Sequence, residues 1–102
     1  MIALALAVLI QHEPLPRYAD AKRCAALTIA HRRTFADDDP AAFDVSLFWS
    51  LVVGERAKKD RVPHARFERE LADATESAAR QLAARDATAQ AALAACVARV
   101  PR

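Results

Sequence analysis

Apolar and polar positions along most of this chain repeat with the period of an α-helix. From 17 to 36, Tyr18, Cys24, Leu27, Thr28, His31 and Phe35 fall on one side at helical spacing, with Arg23, Arg32 and Arg33 facing elsewhere. Pro16 just before them suits a helix start. Asp37-Asp38-Asp39-Pro40 then opens a second helix over 40–58. Asp39 can accept from free amides, Pro40 suits the first helical position, and the carboxylates sit at the positive end of the dipole. Its middle, Val45 to Val53, is apolar nearly all round. Val, Phe and Trp also favour strands, but no other segment offers a partner strand. Such a helix is expected at the centre of a bundle or partly buried in a dimer interface. Gly54 inside it costs about 1 kcal/mol against Ala, which close packing or a weakened helix end would explain. Pro63 opens a third helix over 63–83, with Phe67, Leu71, Ala74, Thr75, Ala78 and Leu82 as its apolar stripe. Ala89, Leu93, Cys96, Val97 and Val100 continue the pattern until Pro101 stops it.

Periodicity alone allows 63–98 to be one helix, or two helices with a reversal near Ala84 to Asp86. One straight helix would run roughly 54 Å, about twice the length of the first two, and would leave Cys96 far from Cys24. With a reversal, Asp86 caps a fourth helix over 86–99 and Cys96 descends to about the level of Cys24. The result is an all-α, up-down-up-down four-helix bundle with a Cys24–Cys96 disulfide. The turn and the disulfide support each other, since Arg85-Asp86 contains neither Gly nor Pro.

Composition narrows the functional classes. Ala fills 26 of 102 positions and Gly only 1, so glycine-rich phosphate loops and dinucleotide fingerprints are excluded. The formal charge is +2, and Arg outnumbers Lys by 12 to 3, which reads as coding bias. Arg56, Lys58, Lys59 and Arg61 are interleaved with Glu55 and Asp60, not gathered into the basic stripe of a nucleic-acid binder. No nucleic-acid partner, cofactor or membrane span is expected; a protein partner or self-association is.

Residues 1–10, MIALALAVLI, are too short to cross a bilayer but match the length of a signal-peptide apolar region, without a basic segment before them. They read as an export-signal remnant, the alternative being an extra apolar helical turn. Residues 11–16 read as a linker and 17–100 as a single bundle domain. The Arg23-Cys24-Ala25-Ala26-Leu27 stretch, the apolar Phe-rich second helix, the charged third helix and the late single Cys resemble small exported helical proteins of alphaproteobacteria. The resemblance implies export to the periplasm or beyond and a Cys–Cys staple, and it implies no catalytic residue.

Chemistry-bearing groups are sparse. His12, His31 and His64 lack metalloprotease spacing. The Asp37–Asp39 run lacks the spacing, Gly and terminal Glu of a calcium loop. A Cys24/His31/Cys96 zinc cluster lacks a fourth ligand, and Ser46 and Ser50 have no triad context. The leading reading is a non-enzymatic binding or structural module of the cell envelope. Its candidate surface is Phe43, Leu47, Trp49 and Val52. A cytosolic adaptor with free thiols and a Cys/His metal module are the alternatives.

Overall fold

The structure is a computed structural model and describes residues 14–101. The apolar segment 1–10, His12 and the first half of the linker lie outside the described residues. Among the described residues four helices follow one another: α1 (Tyr18–Phe35), α2 (Pro40–Lys59), α3 (His64–Ala83) and α4 (Ala87–Ala98). Short connections reverse the chain three times, which gives the expected four-helix bundle.

Helix starts follow local chemistry. The Asp39 carboxylate accepts from the Ala41 amide at 3.0 Å, with Pro40 in the first turn. The Asp86 carboxylate accepts from the Ala89 amide at 2.8 Å and starts α4. The reversal between α3 and α4 needs no glycine. Arg85 takes a left-handed φ of 58°, its amide donates to the Leu82 carbonyl, and the Asp86 amide donates to the Gln81 carbonyl. This Schellman closure satisfies carbonyls that the end of α3 would otherwise leave free. Arg61, at φ 56°, closes α2 in the same way, with Arg61 and Val62 amides donating to the Lys58 and Ala57 carbonyls.

The centre of the bundle is α1, not the strongly apolar α2 that the sequence pattern favours. Helix α1 packs along both α2 and α3, and α4 rests against α1 and the end of α3. The unbroken run Cys24–Ala30 is buried. Ala21, Ala25, Ala26 and Ala30 present almost no side chain, so two helices can approach α1 from different sides. Leu27, Trp49 and Val53 are the largest fully buried side chains. Thr28, the buried polar residue of α1, donates back to the Cys24 carbonyl at 2.7 Å. Phe35, placed inward by periodicity, is exposed because it lies at the last position of α1, past the packed region.

A polar tie joins α1 to α3. The Tyr18 hydroxyl donates to Glu70 Oε1 at 2.8 Å, and the Tyr18 ring packs on Phe67 with centroids 6.4 Å apart. Burial, then this hydrogen bond, pushes the Tyr18 phenol from 10.0 up to about 12. The same bond holds the Glu70 carboxyl below the usual carboxylate range. Because the folded Tyr18 value is raised, its contribution is complete below pH 10 and lost as pH climbs toward about 12. Because the folded Glu70 value is lowered, its contribution is present at neutral pH and lost as pH falls through the carboxylate range. Tyr18→Phe is expected to return Glu70 to the usual range in an NMR carboxyl titration. An unchanged Glu70 midpoint would show that the bond is absent in solution.

Candidate apolar interface and disulfide staple

Two features stand out above the scaffold: a covalent staple and an unburied apolar stripe. Cys24 in α1 and Cys96 in α4 are joined by a disulfide with Cα atoms 5.5 Å apart, across 72 residues of sequence. Both sulfurs are in that bond, so neither acts here as a thiolate ligand or nucleophile. Among the described residues, no group of three or more His, Cys, Asp or Glu side chains converges as a metal cage, Asp37–Asp39 included. His31 is half-buried beside Phe35, their ring centroids 6.1 Å apart. No helix among the described residues is long and apolar enough to cross a membrane.

The second feature lies on α2. Phe43, Leu47 and Leu51 stay 50%, 46% and 63% exposed. They recur every four residues, so each advances only about 40° around the helix and the three form one stripe. Two residues of the sequence-based surface do not belong to it. Trp49 and Val52 are buried in the core. Trp49 is two residues beyond Leu47, about 200° round the helix, and so points inward. Its indole Nε1 donates to the Cys96 carbonyl at 3.0 Å. Leu51 was the member that the sequence reading missed. The i, i+4, i+8 spacing from Phe43 would have found it.

The stripe is held in place from below. The Arg32 guanidinium of α1 lies 5.6 Å from the Phe43 ring centroid, and its Nε donates to Ser46 Oγ at 3.1 Å. Ser46 Oγ in turn donates to the Phe43 carbonyl at 2.8 Å. Arg32 therefore covers part of the Phe43 ring while the rest faces solvent. Beside the stripe, Gly54 has open space where a Cβ would stand. Nothing within the described fold requires a glycine there. Gly54→Ala is expected to raise stability by about 1 kcal/mol through helix propensity, read from urea unfolding. An unchanged or lowered stability at micromolar protein would mean that helix propensity does not decide this position.

A groove of about 620 Å³ runs between α1 and α3, with Ile29, Phe67 and Leu71 among its apolar lining and Arg33, Glu68 and Glu76 at its polar edge. A smaller one of about 170 Å³ is bordered by Thr28, His31, Val45 and Leu93. Neither gathers a nucleophile, base and oxyanion donors in the arrangement that acyl-transfer chemistry needs.

Fold and surface together define a class: a small disulfide-stapled helical bundle with an uncovered apolar helix face. No protein-family model, curated protein or solved structure matches the chain.

Proposed function

We propose that this protein is a non-catalytic binding module of an oxidising compartment of the cell envelope, and that it docks a polypeptide on the exposed face of α2. The observation that carries the reading is the Phe43–Leu47–Leu51 stripe. Three large apolar side chains in a row are unburied although the same helix supplies Trp49, Val52 and Val53 to the core. Contiguous exposed apolar surface marks interaction sites in soluble domains. The disulfide supports the compartment, because such bonds persist where the surroundings are oxidising. The resemblance of the Arg23–Leu27 stretch to exported proteins points the same way.

Two measurements test it. A photo-crosslinking phenylalanine placed at Leu51 is expected to give covalent adducts in living cells, while the same group at exposed Arg69 on α3 gives none. No adduct from Leu51 would overturn the binding reading. Alkylation before cell lysis is expected to modify both cysteines only after reduction, as read by intact mass. Free alkylation of both would overturn the compartment and favour a cytosolic adaptor with free thiols.

A further inference from the structure

We infer that the occupant of the α2 face is a second copy of this chain, with the two α2 helices packed antiparallel about a two-fold axis at the level of residue 49. This rests on the binding reading above and names its partner. Charge and bulk are distributed unevenly along the helix. Asp38, Asp39 and Asp44 stand exposed at its start, and Lys58, Lys59 and Arg61 at its end. With Arg56 these outnumber Glu55 and Asp60, which pair with Lys58 and Arg56, so that end stays net positive. A parallel pair would stack acid on acid and base on base. An antiparallel pair sets each acidic end against a basic end and also opposes the helix dipoles.

The same arrangement solves the packing. Leu47 meets Leu51 of the partner subunit, and Leu51 meets Leu47 of the partner subunit. Phe43 comes within one residue, about 1.5 Å along the axis, of the level of Gly54 of the partner subunit, where the missing side chain leaves open space. A large residue at one end of the stripe thus meets a notch at the other, as a self-complementary two-fold interface requires. Each half of the pairing follows from the other, since one surface supplies both sides.

The patch is one helix face wide, so the association is weak. Sedimentation equilibrium of the oxidised protein is expected to show the mass rising from one chain toward two between ~10 µM and ~1 mM. Leu51→Asp and Gly54→Leu are each expected to weaken dimerisation at least tenfold. A Cβ at Gly54 meets nothing within 4 Å, so Gly54→Leu is checked for an intact monomer by circular dichroism and melting, and Leu51→Asp gives the same reading independently. Asp38→Lys should also weaken the dimer, and Lys59→Asp added to it should restore it. Orientation is read with a short bis-maleimide on single added thiols. Ser50→Cys, about 3 Å along the axis from its copy, should cross-link; Lys58→Cys, about 27 Å from its copy, should not. Cross-linking at both sites would overturn the antiparallel arrangement. A monomer throughout, with Leu51 adducts in cells containing a different protein, would overturn self-association and leave the binding reading standing. A monomer with no adducts would overturn both.

Discussion

Replacing Cys24 and Cys96 together with Ala is expected to lower the free energy of unfolding by about 4 kcal/mol. The bond spans 72 residues, and closing a loop of that length removes about 4 kcal/mol of chain entropy from the unfolded state in the loop-closure model. That is a large share of the roughly 5–15 kcal/mol available to a small domain. The native state is also affected locally. Helix α4 has 12 residues and buries only Ala89 and Cys96, and an isolated helix of that length is marginal in water. Without the bond, amide exchange in Ala87–Ala98 should therefore accelerate before exchange in α1 does. Urea unfolding of the oxidised and Ala-substituted proteins measures the first effect. A difference below about 1 kcal/mol would show that the unfolded chain gains little freedom when the bond is removed.

Trp49→Ala is expected to cost about 3–5 kcal/mol, the range for emptying a buried large aromatic site. Trp49 is 1% exposed, its ring meets Phe48 edge-on at 5.4 Å, and the Arg99 guanidinium lies 5.2 Å from its centroid. Its indole also serves the end of α4. The Cys96 carbonyl lies in the last turn, and the Val100 amide donates to Val97 instead, so Cys96 takes its proton from Trp49 Nε1. Trp49→Phe retains most of the ring but removes that donor, and should cost about 1–3 kcal/mol. Trp49→Ala in the Cys-free background is expected to be non-additive, since both changes release α4 at Cys96. Additivity within 0.5 kcal/mol, on the usual scale for independent sites, would mean that the two attachments act separately.

Much of this architecture was legible along the chain. The four helices lie where periodicity, Asp39-Pro40, Pro63 and Asp86 place them, because capping and dipole effects act within one turn. The reversal that brings Cys96 to Cys24 was legible only together with the disulfide, since periodicity also allowed one helix through 63–98; the left-handed turn at Arg85 and the Cys24–Cys96 bond show both. The binding face was half legible. Phe43 and Leu47 are on it, but Trp49 and Val52 are in the core. Val45 to Val53 is apolar except for Ser46 and Ser50, and Ser46 is itself buried, so hydrophobicity gives no reliable direction and only packing against α1 shows which side is inward.

By itself, then, the sequence determined the helix starts and stops, since these depend on local chemistry, while the pairing of the two cysteines rested on a reversal that the structure supplies. Only the tertiary structure decided which helix is central and which apolar side chains stay outside. Ala-rich α1 takes the middle because small side chains let two neighbours approach it at once, and that choice leaves one side of α2 uncovered. How closely helices approach depends on both partners, so the pattern along either one alone does not contain it.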